Sequence, residues 1–204
     1  MEVPYVDISS PALEYGSTLH RAMEGQDIME TREEMEDQTR DMLDAHLSHY
    51  EEYAKRLKFT ALDIPEHEYN MVLKHPVTGE PFPVPFYGIV DRQLKKEDGK
   101  PRGFVDFKTS SQEWGQAKLD STKQFTWYCL ADWQESGVFP EDMFMLNFVK
   151  DQLKPYARVK RVNRSVDQCA EVFEEAVGLY NKCVVNSDSV EKVCARSFFC
   201  PYSS

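Results

Sequence analysis

The sequence predicts an α/β fold with a mixed central β-sheet flanked by helices. Short β-rich segments alternate along the chain with segments whose apolar residues recur at helical spacing. Turn-forming sequences rich in glycine, proline and aspartate separate the strand segments. In order, the pattern indicates an N-terminal helical segment, three strands, a helix, two strands and a final helix.

The N-terminal part, residues 1–58, is predicted to be helical. Ser9 or Ser10 can cap a first helix that has Pro11 in its first turn and ends near Gly25. The charged segment that follows, 27–57, carries apolar residues in a roughly helical rhythm, which predicts one or two amphipathic helices.

The rest of the chain is predicted to form the sheet and its remaining helices. A three-stranded antiparallel meander is expected over 64–73, 84–94 and 104–108, with turns at 75–79 and 96–101. A helix over 116–136, strands over 143–149 and 156–162, and a helix over 166–182 follow. We expect a single domain over 1–204, with a helical part at 1–58, a central sheet and helix at 59–164, and a C-terminal helix and cysteine-containing tail at 165–204.

The composition is typical of a globular protein, with 41% hydrophobic and 12% aromatic residues. No apolar run approaches the ~18 residues that a membrane span requires. The N-terminus shows no basic n-region and no apolar h-region, so we expect no secretory signal and a cytoplasmic location, the host cytoplasm if the protein is viral. In that compartment the five cysteines are expected to remain thiols.

The net charge of -11 argues against a protein that coats nucleic acid by bulk electrostatics. The charge is uneven, however, because acids concentrate in 24–52 and bases in 150–164. Two alternatives fit this basic strip equally well: a solvated sheet edge guarded by cations, or a track for phosphates. The candidate phosphate-binding residues are Lys150, Arg158, Lys160 and Arg161.

Three charged residues on neighbouring predicted strands are the best candidates for chemistry. Side chains two apart in a strand share a face, so Asp106 and Lys108 emerge side by side, and the turn at 96–101 can bring Asp91 next to Asp106. Paired carboxylates suit Mg²⁺ or Mn²⁺, and a lysine beside them can hold or deprotonate water or stabilise a phosphate. The alternative for the Asp-x-Lys pair is an exposed ion pair of little energetic value, and a second such pair, Asp98 and Lys100, lies in a turn.

Three sequence blocks in a fixed order extend this pattern. They are Gly88-Ile89-Val90-Asp91, then Val105-Asp106-Phe107-Lys108-Thr109, then Gln124-Phe125-Thr126-Trp127-Tyr128. Together they resemble the RecB-type exonuclease branch of the PD-(D/E)xK nuclease superfamily, over approximately residues 14–162. The resemblance implies a restriction-endonuclease-like core, with Asp91, Asp106, Lys108, Gln124 and Tyr128 as catalytic residues. Gln124 and Tyr128 share a helix face at i and i+4.

The same resemblance implies further ligands. The segment Gly16 to Glu24 is similar to an upstream pattern of the branch that contains a histidine, which makes His20 an additional metal ligand, and the backbone carbonyl of Phe107 is expected to add another. Imidazole ligation favours Mn²⁺ alongside Mg²⁺. Glu68 stands where related proteins often have an acid, and a solvated strand end is the equally weighted alternative. Trp114, Trp127 and Tyr87 could stack on unpaired bases, although aromatic residues near a sheet are more often part of the core.

The C-terminal cysteines are similar to part of an iron–sulfur motif found in many members of the branch. Cys200 opens the sequence Cys200-Pro201-Tyr202, and Cys194 lies six residues before it. However, no cysteine precedes His20 and no Cys-x-x-Cys occurs. A cluster needs four converging thiolates, so ordinary thiols are favoured over a cluster.

These implications describe a metal-dependent DNA exonuclease acting in recombination, repair or phage DNA processing. Two alternatives remain at this point: an endonuclease on the same core, and a non-catalytic DNA-binding or assembly subunit. Intact Asp91, Asp106 and Lys108 argue against the second. DNA is the expected partner, and an oligomer or a recombination-protein partner is compatible with the sequence.

Overall fold

The structure is a computed structural model that describes residues 10–151 and 153–185, with side chains up to Lys182. Ser9, the side chain of Cys183, and Cys194 and Cys200 lie outside the described residues, so the expectations for them remain predictions. Within the described part, no helix combines the length and the hydropathy needed to cross a membrane.

Six helices and five strands follow one another in the described residues. The first part contains α1 (Pro11–Met23), α2 (Met29–Glu34), α3 (Asp37–Arg56), β1 (Ile64–Met71), β2 (Phe86–Lys95) and β3 (Pro101–Ser110). The second part contains α4 (Gln116–Ser121), α5 (Lys123–Ser136), β4 (Asp142–Val149), β5 (Tyr156–Arg161) and α6 (Val166–Val185).

The five strands form one mixed sheet in the order β1-β2-β3-β4-β5, which confirms the predicted α/β architecture. β2 and β3 are antiparallel, β3 and β4 are parallel, and β4 and β5 are antiparallel. A parallel pair needs a crossover connection, and α4 and α5 lie in the connection between β3 and β4. The turn between β2 and β3 is the one predicted from the sequence, since Lys95 pairs with Pro101.

The N-terminal helices agree with the sequence pattern. Ser10 caps α1 by accepting a hydrogen bond from the backbone N–H of Leu13. The charged segment forms two helices, because the chain becomes extended at Met35, with φ -69° and ψ 145°. Arg40 on α3 donates to the carbonyls of Arg32 and Met35 and so satisfies backbone acceptors at the end of α2.

The prediction of one helix over 116–136 is wrong, because the chain breaks at Thr122. Thr122 is extended, with φ -75° and ψ 112°, and α5 begins at the next residue. The guanidinium of Arg164 donates to the Thr122 carbonyl at 3.0 Å and to the Thr126 hydroxyl at 2.8 Å. A distant arginine therefore supports the break.

The chain divides into two compact units. The first consists of Met1–His67, Val90–Asp120 and Glu141–Val162, and the second of Glu68–Ile89, Ser121–Pro140 and Asn163–Ser204. In the first unit, α1 and α3 contribute to an apolar core with the sheet, which includes the buried side chains of Tyr15, Leu19, Leu43, Val105, Phe107, Leu146 and Phe148. In the second, α5 packs on α6. Each large apolar side chain buried in such a core contributes roughly 1.5–3 kcal/mol.

A buried histidine joins α3 to α1 and to the end of β4. His46 is completely buried, with Nε2 3.1 Å from the carbonyl oxygen of Val149 and Nδ1 2.6 Å from the hydroxyl of Tyr15. The carbonyl can only accept, so Nε2 carries the proton, Nδ1 accepts, and the Tyr15 hydroxyl donates. Burial is the main cause that lowers the pKa of His46 to about 4, and the imidazole is neutral in the folded protein.

We expect this histidine to make folding stability depend on pH. The unfolded chain protonates His46 near the ordinary histidine pKa of 6.5, whereas in the folded chain the pKa is about 4. Stability is therefore full above pH 6.5 and falls as the pH drops toward 4, by about 3 kcal/mol from this group. Urea unfolding of the protein and of His46→Gln at several pH values isolates the effect, because other titrating groups cancel in the difference. If the free energies of unfolding of the two proteins differ by the same amount at every pH between 7 and 4, the assignment is contradicted.

Candidate functional site

The centre of the site lies at the end of the β2–β3 hairpin pairing. β2 pairs with β3 up to Arg92 opposite Val105, which places Asp91 next to the segment that carries Asp106 and Lys108. One oxygen of Asp91, Oδ2, accepts a hydrogen bond from the backbone N–H of Phe107. The structure thus brings Asp91, Asp106 and Lys108 together, as the strand pattern predicts.

Asp106 is buried. The alternative offered by the sequence, an exposed ion pair with Lys108, is therefore wrong for this residue. Its carboxylate is about 3% exposed, and Lys108 Nζ lies 2.8 Å from Oδ2 with its own side chain 25% exposed. Despite that ion pair, Oδ2 has no hydrogen bond of normal geometry within the described chain. Burial raises the pKa of Asp106 to about 6; the Lys108 charge opposes this shift, and the Asp91 charge adds to it. Two carboxylates, Asp91 and Asp106, thus stand beside one lysine at this point.

Helix α1 contributes His20 to the same place. His20 Nδ1 lies 3.4 Å from Asp91 Oδ1, and the imidazole contacts the edge of the Phe107 ring. Burial lowers the pKa of His20, but the hydrogen bond and charge of Asp91, together with the charges of Asp106 and Glu24, outweigh it and leave the pKa raised. A Cβ atom at Gly16 would lie 3.0 Å from Thr109 Oγ1, so a glycine one turn earlier lets α1 approach the end of β3.

The last turn of α1 is held by a side chain from β2. Arg92 donates to the carbonyl of Met23 at 3.1 Å and to the hydroxyl of Tyr50 at 3.0 Å. Its guanidinium also lies over the ring of Phe59. These contacts fix the helix end beside the hairpin, and they explain why a residue as far upstream as His20 lies at this site.

An open cleft of ≈ 490 Å³ lies next to these residues. Its lining includes His20, Arg21, Glu24, Glu66, Phe107 and Lys108. The sequence pattern did not identify Glu66, and Glu24 appeared only as the end of the upstream pattern. Burial raises the pKa of Glu24, and the neighbouring carboxyl of Glu66 raises it further.

Glu66 has an unusual backbone conformation, with φ 44°. For a residue with a side chain, this left-handed region costs roughly 1–2 kcal/mol. It interrupts the alternation of β1, and strand periodicity alone could not have assigned the residue to the cleft. Glu68, the acid proposed from sequence, belongs to the second unit, where its carboxyl contacts the hydroxyl of the exposed Tyr87.

The donor atoms at the centre fit a divalent cation. Two carboxylates and an imidazole are hard and intermediate donors that suit Mg²⁺ and Mn²⁺. The buried Asp106 Oδ2 without a well-formed hydrogen bond, next to a second carboxylate, is a feature that a cation would relieve. In the side-chain conformations of the described residues, no group of three or more histidines, cysteines or acids is arranged to hold a metal. Asp91 instead accepts a hydrogen bond from the backbone N–H of Phe107 with one oxygen, and its other oxygen lies 3.4 Å from His20 Nδ1.

Gln124 and Tyr128 form a pair in the second unit. They lie one turn apart at the start of α5, and the Gln124 amide donates to the Tyr128 hydroxyl at 3.0 Å. In the same unit, a Cβ atom at Gly88 would lie 3.3 Å from the Tyr128 ring and 2.7 Å from the Phe86 ring. The predicted shared helix face therefore exists, and Gly88 leaves room for the phenol.

The basic strip on and before β5 has local partners. Lys160 lies 2.8 Å and Arg158 3.9 Å from the carboxylate of Glu113, in the loop after β3. Arg161 donates to the Glu141 carbonyl. Lys150 lies over the ring of Tyr15.

The three aromatic residues singled out in the sequence have different environments. Trp127 is 6% exposed and stacks on Phe86, so it belongs to the core of the second unit. Trp114 is half-buried beneath the ammonium of Lys118, which lies 3.8 Å from its ring centroid. Tyr87 is 59% exposed.

Comparison with known proteins identifies a family. The family profile of the PD-(D/E)XK nuclease superfamily matches residues 5–204. Among solved structures, the crystal structure of SSO0001 aligns over 94% of this chain and 96% of that chain, at 13% identity and a TM-score of 0.38. That likeness is too weak to carry an argument. No curated protein sequence matches the chain.

Proposed function

Because the chain belongs to the PD-(D/E)XK nuclease superfamily, we propose that it is a divalent-metal-dependent DNA exonuclease of the RecB-type branch. The observation that carries the proposal is the cluster of Asp91, Asp106, Lys108 and His20 beside one open cleft. The motif order supports the RecB-type assignment, since Gln-x-x-x-Tyr follows the Asp-x-Lys strand. DNA recombination, repair or phage DNA processing would use such an activity.

In this proposal, Asp91, Asp106 and His20 hold Mg²⁺ or Mn²⁺, with the Phe107 carbonyl as a further ligand. When bound, the metal would polarise the phosphate and make bound water more acidic. Lys108 has the position for water or phosphate binding, because its ammonium is anchored by Asp106 at 2.8 Å while its side chain reaches the cleft. Its remaining N–H donors can orient a water molecule or stabilise charge on a phosphate oxygen.

Substrate contacts are assigned to two groups of residues. Gln124 and Tyr128 present an amide and a phenol from one helix face, suited to contacts with the DNA backbone. Lys150, Arg158, Lys160 and Arg161 offer positive charge to phosphates in an otherwise acidic protein.

The contact of Glu113 with this strip leads to a prediction. We expect Glu113→Gln to bind DNA about 2–5-fold more tightly at low salt, because the carboxylate competes with phosphates for Lys160, and such partly exposed pairs are worth ~0.2–1 kcal/mol. Fluorescence anisotropy with labelled DNA, without divalent metal, measures the change. Glu97→Gln removes the same charge from an exposed turn and is the matched control. Equal effects of both substitutions would show that only net charge matters.

The test of the proposed function compares DNA forms. End-labelled linear single- and double-stranded DNA and a closed circle are incubated with Mg²⁺ or Mn²⁺, and parallel reactions contain a chelator. An exonuclease degrades linear DNA from its ends and leaves the closed circle intact. Cutting of the circle would favour the endonuclease alternative, and DNA binding without any cutting would favour a non-catalytic DNA-binding or assembly subunit.

A further inference from the structure

Asn147 is a buried polar residue that the sequence pattern did not single out. It lies on β4 with no exposed surface, and in the parallel pairing of β3 and β4 it stands opposite Lys108. A buried amide is costly unless its hydrogen bonds are made. The hydrogen-bond partners of the Asn147 amide therefore explain why a polar residue is tolerated among apolar neighbours.

The amide of Asn147 makes three hydrogen bonds. Nδ2 donates to the backbone carbonyl of Lys108 at 3.2 Å and to Ser110 Oγ at 2.8 Å, and Oδ1 accepts from the backbone N–H of Trp114 at 2.9 Å. The backbone carbonyl can only accept and the backbone N–H can only donate, so the orientation of the amide is determined. Both N–H groups of the amide are used.

These three contacts all lie where β3 passes into the loop before α4. The loop has other supports: Ser110 donates to the carbonyl of Gln112 at 2.6 Å, and the carbonyl of Ser110 accepts from the N–H of Lys150 at 2.8 Å. Among these loop contacts, those of Asn147 differ because its side chain also binds the backbone carbonyl of Lys108. It thus ties the lysine to the loop through one rigid side chain.

We propose that Asn147 is a positioning residue for Lys108: its amide sets where the β3 backbone ends and so where the ammonium stands in the cleft. This inference rests on the proposed function of Lys108 for its catalytic consequence, but its structural part does not. A displacement of about 1 Å in a reacting group can cost ~10²-fold in rate. Asn147 is not itself among the residues that line the cleft, and its effect on substrate binding should be small.

The experiment uses two variants of the full chain, with Leu43→Ala as the control. Asn147→Leu removes all three hydrogen bonds, whereas Asn147→Asp keeps an acceptor for Trp114 and loses the donor to Lys108. Leu43 is a fully buried residue on α3 outside the cleft lining, so its truncation destabilises the same unit without touching these contacts. Urea unfolding identifies conditions in which all variants are folded.

Two readouts separate positioning from stability. The first is the labelling rate of Lys108 by acetic anhydride relative to the exposed Lys100 in the same molecule, measured by peptide mass spectrometry. We expect a severalfold change in both Asn147 variants and none in Leu43→Ala. The second is steady-state cleavage of linear DNA, for which kcat should fall about 10–100-fold in both Asn147 variants while KM stays within about threefold.

The outcomes distinguish the two proposals. Unchanged labelling of Lys108 in the Asn147 variants would overturn the positioning role, whether or not the protein cuts DNA. Changed labelling in a protein that cuts no DNA would support the positioning role and refute the nuclease assignment. Cleavage lost in Asn147→Leu but retained in Asn147→Asp would move the role of Asn147 from Lys108 to the Trp114 loop, and would also overturn the proposal.

Discussion

Replacement of Asp106 by asparagine or of Lys108 by methionine is expected to lower the rate of DNA cleavage by ~10³-fold or more. Asp106 supplies a carboxylate to the proposed metal position, and asparagine is a neutral and weaker ligand of similar shape. Lys108→Met retains the aliphatic stem and removes the ammonium that lies 2.8 Å from Asp106. Both effects act on the chemical step, so the initial rate on end-labelled linear DNA at saturating metal is the measurement.

The fold should survive Asp106→Asn. Burial raises the pKa of Asp106 to about 6, which means that ionisation of this carboxyl destabilises the folded chain as the pH rises from about 4 to about 6. At pH 8 the amide removes that buried charge, and the urea midpoint of Asp106→Asn should be no lower than that of the unsubstituted protein. Loss of cleavage without loss of stability would identify a functional carboxylate.

The chain contains its own control for these substitutions. Asp98 and Lys100 form the same Asp-x-Lys spacing in an exposed turn, with Lys100 Nζ 3.1 Å from Asp98 Oδ2. Asp98→Asn and Lys100→Met should leave cleavage within about twofold of the starting rate, since surface pairs of this kind contribute little. If Asp106→Asn and Lys108→Met cut DNA as well as these controls do, the active-site assignment is wrong.

Replacement of Gly103 by alanine is expected to prevent stable folding. Gly103 has φ 142°, a conformation that residues with a side chain rarely adopt. An alanine Cβ would overlap the carbonyl oxygen of Asp142 and lie 2.6 Å from its carbonyl carbon. The obstacle is the backbone of the paired strand β4, which cannot move aside as a flexible side chain can.

The expected loss for Gly103→Ala is more than ~4 kcal/mol, which is at the extreme of single substitutions. Circular dichroism and urea unfolding of the purified variant measure it, and recovery in the insoluble fraction is the corresponding result in cells. Gly115→Ala is the control, because no atom lies within 4 Å of its added Cβ and its φ is not in the left-handed region. A Gly103→Ala variant as stable as Gly115→Ala would refute the predicted overlap.

Strand periodicity predicted the centre of the site, and the reason is local. Alternation of side chains in β3 is enough to place Asp106 and Lys108 on one face, and a short hairpin turn is enough to bring Asp91 beside them. The same rule does not apply at Glu66 on β1, which lines the cleft, because its φ of 44° breaks the alternation on which the rule depends. The expectation for Glu68 rests on the family resemblance and stays a prediction.

Some helix boundaries follow from the local sequence, and others depend on contacts with distant residues. The cap at Ser10 and the end of α1 before Gly25 follow from local signals, because a hydroxyl can satisfy the first free N–H groups and glycine accepts the left-handed conformation. The break at Thr122 is supported by hydrogen bonds from Arg164, 42 positions away in the chain. No pattern within a helical window can show an interaction of that kind.

The sequence by itself determined the order of helices and strands, the mixed α/β architecture and the three charged residues at the hairpin end, because these depend on periodicity and turn chemistry over short stretches of chain. Only the tertiary structure decided that Asp106 is buried, that Glu66 lines the cleft, and that Asn147 holds the backbone of Lys108. Burial and contacts between distant strands depend on how elements pack, and packing is a property of the whole fold.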